Sequence, residues 1–238
     1  MINTYNESSL HQTLKTLYAQ EFEGKTEVEL HGHIYDILAG ETVIEIQTQN
    51  LGKLLPKTLD TLEHGLKVKI VYPLVTERLI ETYDQEGKLI SKRKSPKKES
   101  IYKLFDELTG IHPVLLNSNF SLDVLEVHTV EKRRKFPEPV QTQNKARRFR
   151  KDWIKTNKEL KEIIKTTTFS RKEQYLDFIP KEVLPEFCTK DIAVALKATK
   201  GLPASASKKA GIMLWVLRHM ELITETEVKN RSHYYRIS

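Results

Sequence analysis

Two acidic residues occupy strand positions that their charge makes unfavourable, and they constrain this chain more than anything else in it. Residues 27–48 read EVELHGHIYDILAGETVIEIQT. The alternation of apolar and polar positions around Ala39-Gly40 predicts strands over 26–31, 33–38 and 42–47. Asp36 lies between Tyr35 and Ile37, and Glu45 between Ile44 and Ile46. A carboxylate in a half-buried strand is costly unless it is paired or holds a metal. Two of them on neighbouring strands, with Gln47 one pleat beyond Glu45, form a candidate metal-binding site. Pairing with a nearby Lys or Arg is the alternative.

The flanking sequence predicts an ordered α/β (α+β) domain with a mixed sheet. Asn6 or Ser8 can cap a helix over 9–20, with Leu10, Leu14, Leu17 and Tyr18 as its apolar stripe. A second helix over 51–63 carries Leu54, Leu55, Leu59 and Leu62, and Gly65 ends it. The alternating run KVKIVYPL at 67–74 is the next strand. A helix between strands three and four implies a parallel crossover. A hairpin over 78–83 and 88–91, a helix near 100–108 and a strand near 122–128 follow.

Composition narrows the class. No apolar run approaches the ~18 residues that cross a bilayer, and the N-terminus lacks a basic-then-apolar leader. Cys188 is the single cysteine, which excludes an intrachain disulfide and a cysteine-based zinc site. The chain reads as soluble and cytoplasmic, with no membrane partner. Charge is uneven: residues 1–135 hold 18 Lys and Arg against 20 Asp and Glu, and residues 136–238 hold 21 against 12. A polyanion such as DNA suits that excess; a solubilising surface is the plain alternative.

Pro137 and Pro139, in EKRRKFPEPVQTQN, mark a linker near 133–143. The expected organisation is a domain over 1–135, a basic linker and helix over 136–170, and a second domain over 171–238. The helix is predicted over 145–164 (KARRFRKDWIKTNKELKEII), with Phe149, Trp153, Leu160, Ile163 and Ile164 as its apolar side.

A helix with the early acid Glu7, a meander ending in Asp36, a strand with Glu45-x-Gln47, a crossover helix and a fourth strand together resemble the PD-(D/E)XK nuclease core, the restriction-endonuclease-like fold. The match covers roughly residues 6–75. The resemblance implies phosphodiester hydrolysis assisted by Mg²⁺ or Mn²⁺, because a hard cation activates water and stabilises charge on phosphate. It assigns Asp36 and Glu45 to the metal, with Gln47 and Glu7 as further catalytic residues. Gln47 departs from the usual Lys; a glutamine orients but cannot supply charge. Lys53, Lys57 or Lys69 could supply it instead. Relatives without activity exist in this superfamily, so a catalytically inactive DNA-binding regulator or adaptor is the rival. Cutting both strands takes two sites, which a homodimer would supply. The basic stretch Lys92-Arg93-Lys94-Ser95-Pro96-Lys97-Lys98 suits phosphate contacts.

The last fifty residues predict helix, Gly201-Leu202-Pro203 turn, helix and hairpin, a pattern similar to winged helix-turn-helix domains. That likeness places Ser205, Ser207, Lys208 and Lys209 at DNA base edges and Lys229, Asn230 and Arg231 at the flanking backbone. Such modules also bind proteins, and the run Ile212–Leu217 is largely core in either case.

Overall fold

Ser8 accepts a hydrogen bond from the His11 amide and starts the first helix, as expected of an N-cap. The computed structural model describes residues 8–97, 99–142, 147–200 and 206–238. In chain order the elements are α1 (Ser9–Glu21), β1 (Lys25–Leu30), β2 (His33–Ala39), β3 (Thr42–Ile46), α2 (Leu55–Glu63), β4 (Lys67–Tyr83), β5 (Leu89–Lys94), α3 (Leu104–Leu108), β6 (Phe120–Val140) and β7 (Lys151–Phe169). Then follow α4 (Lys172–Leu176), β8 (Phe187–Cys188), α5 (Thr189–Lys200), α6 (Ala206–His219), β9 (Ile223–Lys229) and β10 (Ser232–Ile237).

The class is mixed α/β. Seven strands form one mixed sheet in the order β1-β2-β3-β4-β6-β7, with β5 added to β4. β1, β2 and β3 are an antiparallel meander. β3 and β4 run parallel, joined through α2 as the crossover predicts. α1 lies on one face, burying Leu10, Leu14 and Tyr18 against Ile37, Ile44, Ile46, Val71, Leu125 and Val127.

The other face carries the larger core. Tyr72, Leu104, Phe105 and Leu122 are continuous there with Tyr175, Phe187, Ile192, Met213, Leu217 and Tyr235 of the last third of the chain. Gly110 fixes the strand-to-helix segment after β3. A Cβ built there would fall 2.7 Å from the Gly52 backbone, and the Leu51 amide donates to Glu107 at 3.0 Å beside it.

Two expectations fail in the middle of the chain. The expected linker near 133–143 is not one over its described part, because β6 runs through it to Val140 and pairs with β7 in the main sheet; residue 143 lies outside the described residues. The boundary expected at residues 135/136 therefore falls inside a strand. The prolines are tolerated because β6 has already passed its last partner on β4, Arg134 against Tyr83. The β7 ladder also skips from Lys135 to Val140, so no amide is required at Pro137 or Pro139.

The expected basic helix over 145–164 is instead most of β7, with residues 143–146 outside the described set. Its spacing suits a helix, but Trp153, Ile154, Thr156, Ile163, Ile164 and Thr166 are good strand formers, and the β6 edge supplies the ladder. Likewise Lys92, Arg93 and Lys94 belong to β5 rather than to a loop; Lys98 lies outside the described residues.

The end of the chain follows its predicted order of helix, helix and hairpin, and β10 pairs with both β8 and β9. The Gly201-Leu202-Pro203 turn and Ser205 lie outside the described residues. Among those described, no helix is long and apolar enough to cross a membrane.

Candidate functional site

β2 and β3 stay paired only as far as Ile37 opposite Ile44. Beyond that point the strands part, and acidic side chains take over the ladder. The Ile46 amide donates to Asp36 Oδ2 at 2.9 Å, and the Asp36 amide points to Glu45 Oε1 at 3.3 Å. Asp36 and Glu45, the two acids singled out from sequence, thus meet at the C-terminal end of β3.

A third acid joins them. Thr26 pairs with Ile37 and Val28 with Tyr35, so Glu27 stands level with Asp36 across β1. Glu27 takes a left-handed backbone, φ 54°. Glu27, Asp36 and Glu45 therefore form a row across three adjacent strands. Like charges placed directly opposite repel, and here cations offset them. Lys15, 2% exposed, bridges Glu27 and Asp36, the latter at 3.2 Å. His11 Nε2 lies 3.3 Å from Asp36 Oδ2. From α2, Lys57 donates to Glu45 at 2.6 Å and to the Ile34 carbonyl at 2.6 Å, and it sits 4.5 Å over the Tyr35 ring.

The two central carboxyls titrate apart. Burial raises Asp36, but the hydrogen bonds from His11 and the Ile46 amide and the charge of Lys15 outweigh it, holding Asp36 below the usual carboxylate range. Burial dominates at Glu45 and pushes it up, with Asp36 adding to the rise and Lys57 only partly countering it. Paired carboxyls with separated affinities for protons are a recurring feature of reactive sites.

The remaining expected residues are less united. The Gln47 amide group donates to the carbonyls of Gln49 at 2.7 Å and Asn50 at 3.3 Å, which ties it to its own loop. Lys53 is exposed. Lys69 pairs with buried Asp123 at 3.0 Å, so of the three candidate lysines only Lys57 reaches a site carboxylate. Glu7 lies outside the described residues. Lys209 turns inward to Asp106 of α3 at 2.8 Å and is not at an open face; the physical reason is that α6 packs its buried side on the shared core. Ser207 and Lys208 are exposed, as are Lys229, Asn230 and Arg231 at the β9–β10 turn, although Lys229 pairs with Glu227. Lys97 pairs with Glu99 at 2.6 Å and Lys94 with Glu77 at 3.0 Å, whereas Arg93 is exposed on β5.

His11, Lys15 and Glu27 escaped the sequence reading. The i, i+4 spacing of His11 and Lys15 was the available signal, hidden because Leu17, counted in the apolar stripe, is 41% exposed while Lys15 is buried. Among the described residues no three His, Cys, Asp or Glu side chains converge as a ready ligand cluster. Two carboxylates of hard oxygen, brought together at a strand end, are nonetheless a donor set that suits Mg²⁺ or Mn²⁺, which complete their shells with water and substrate oxygens.

Comparison with known proteins gives family rather than chemistry. An uncharacterized protein of Treponema pallidum (strain Nichols) is 28% identical over 193 residues, covering 81% of this chain and 73% of that protein. No solved structure matches. The family model described as Domain of unknown function (DUF8091) matches residues 8–170, ending one residue past β7. The chain therefore belongs to the DUF8091 family.

Proposed function

We propose that the chain is a metal-dependent DNA endonuclease that hydrolyses phosphodiester bonds at the Asp36–Glu45 site. The observation that carries this reading is the parting of β2 and β3, which sets both carboxylates side by side where the ladder ends. The order of α1, three-strand meander, crossover α2 and parallel β4 supports a restriction-endonuclease-like core. Asp36 and Glu45 would hold Mg²⁺ or Mn²⁺, which when bound supplies the charge that activates water and offsets phosphate.

The chain's own residues do the rest. Lys15 and His11 hold the Asp36 carboxylate in its ionised form. Lys57, anchored by the Ile34 carbonyl and 2.6 Å from Glu45, would supply the positive charge that a lysine supplies in PD-(D/E)XK nucleases, so Gln47 is not needed for that role. The α5–α6 pair with the β8-β10-β9 sheet supports a winged-helix reading of the last third. There Ser207, Lys208, Asn230 and Arg231 are the exposed groups suited to DNA. A homodimer would bring two sites to the two strands.

The rival is a DNA-binding adaptor without activity, favoured by the occupation of Asp36 and Glu45 by Lys15 and Lys57. Incubating the purified chain with linear, supercoiled and branched DNA in Mg²⁺ or Mn²⁺ separates the two. Cleavage that Asp36→Asn abolishes supports the enzyme. Binding with no cleavage of any substrate leaves the adaptor.

A further inference from the structure

β4, β6 and β7 do not stop at the core. Ile46, the last residue of β3, stands opposite Val71, yet β4 continues to Tyr83 with β6 parallel beside it as far as Arg134. Twelve residues past Val71 at about 3.3 Å each make an arm of roughly 40 Å, a little more than one turn of B-DNA. It leaves the sheet at the end where Asp36 meets Ile46. β5 returns along β4 toward that end, reaching Lys94 opposite Leu79.

The arm holds the positive charge of the molecule. Residues 77–97, 128–142 and 147–162 contain 17 Lys and Arg against 9 Asp and Glu, in a chain whose total net charge is +7. Register then divides the arm into unequal faces. Arg93 opposite Ile80, Ile80 opposite Glu131, and Glu131 opposite Lys158 share one face. So do Arg133 opposite Lys155, and Lys135 opposite Trp153. Leu160, opposite Thr129, packs this same face against the α1 core.

Glu131 is the acid of that face, and Arg78 and Arg133 already occupy it. Burial above all, with the charges of Arg78 and Lys155 adding to it and Glu131 only partly countering, pushes the Lys158 ammonium down to about 8. On the opposite face Lys92 and Lys132 pair with Glu81 and Glu159. The arginines Arg133 and Arg147 flank Trp153 at 3.6 and 4.3 Å, stiffening the tip.

We infer that the α1-side face of this arm is a track for the phosphate backbone of duplex DNA, leading to the Asp36–Glu45 site and gripping without reading sequence. The inference rests on the nuclease reading for its direction, but its binding claim stands by itself. Arg93, Lys151 and Lys155 are exposed and have no carboxylate partner among the described residues, whereas Lys135 lies 4.0 Å from Asp152. Free cations of this kind release counterions from DNA on contact, which makes the affinity steeply salt-dependent. Phosphate contacts fix orientation and carry no base information.

The test is fluorescence anisotropy of the full chain on a labelled duplex of about 30 base pairs, in Ca²⁺ across a KCl series, beside cleavage assays in Mg²⁺. The variant Arg93→Ala/Lys151→Ala/Lys155→Ala removes only exposed cations without a carboxylate partner. It should bind about tenfold to a hundredfold more weakly, with a salt slope shallower by about 3. The opposite-face variant Lys92→Ala/Lys94→Ala/Lys132→Ala should bind within about twofold of wild type, its cations being already paired. Equal loss in both variants, no loss in the first, or no salt-dependent DNA binding by wild type overturns the track. Binding that follows these expectations without cleavage by wild type removes the nuclease reading and leaves the track. Cleavage undiminished in the first variant does the reverse.

Discussion

Asp36 and Glu45 are chemically alike and differently placed, and the difference sets what each substitution should do. Asp36 is ionised by its donors, so Asp36→Asn keeps the shape while removing the charge that would hold a cation. Asp36→Asn and Glu45→Gln should each lower cleavage by about a hundredfold or more while leaving DNA affinity within a few-fold, measured as initial rates and anisotropy. Gln47 offers the contrasting case. Its amide is spent on the Gln49 and Asn50 carbonyls, so Gln47→Ala should change the cleavage rate by less than about threefold. A hundredfold loss there would return Gln47 to the reacting centre. Lys57→Met should cost stability as well as the site's positive charge. It leaves the buried Glu45 without its cation, an expected loss of about 1–3 kcal/mol in denaturant unfolding at pH 7.

Elements divide into those whose signal was local and those whose signal came from a partner. α1, the β1–β3 meander and α2 could be read because most of their apolar positions face a core, Leu10, Leu14 and Tyr18 on α1 and Leu55 and Leu62 on α2. Leu17 and Leu59 are nonetheless each 41% exposed, and Lys15, Thr58 and Thr61 are buried instead. The paired acids followed from the strand pattern around them. β6 and β7 could not. Pro137 and Pro139 signal a break only where an amide is required, and β6 has run past β4 by then. β7 carries a helix-compatible spacing that the long β6 edge overrides.

Contact between elements was equally hidden, since nothing in the sequence ties Asp106 on α3 to Lys209 on α6. Burial raises the Asp106 carboxyl, but Lys103 and Lys209 more than reverse this and hold it below the usual range. A depressed folded value means that its stabilisation is present above the unfolded Asp value near 4 and is lost as pH falls through the lower folded value. Asp106→Asn should therefore unfold about 1–2 kcal/mol more readily at pH 7. That gap should shrink below about pH 4, as chemical denaturation at each pH will show. A gap independent of pH would mean that the clamp is not ionic.

At the scale of the whole molecule, the family match and the sheet end within a residue of each other at the close of β7, while the larger core continues into the last third of the chain. The basic excess was visible in the sequence, but its assignment to the C-terminal half reflected only chain order. In three dimensions it gathers on an arm built from both sides of that division, projecting from the end of the sheet where the acids lie. A positive arm beside a row of Glu27, Asp36 and Glu45 is the arrangement on which the proposed DNA hydrolysis rests. The most direct measurement is cleavage of supercoiled and linear duplex DNA by the purified full chain in Mg²⁺ or Mn²⁺, run beside Asp36→Asn and Glu45→Gln. The expected result is metal-dependent cutting by wild type that both variants lose while still binding DNA. Absence of cutting in either cation, or cutting that survives both substitutions, contradicts the proposed hydrolysis.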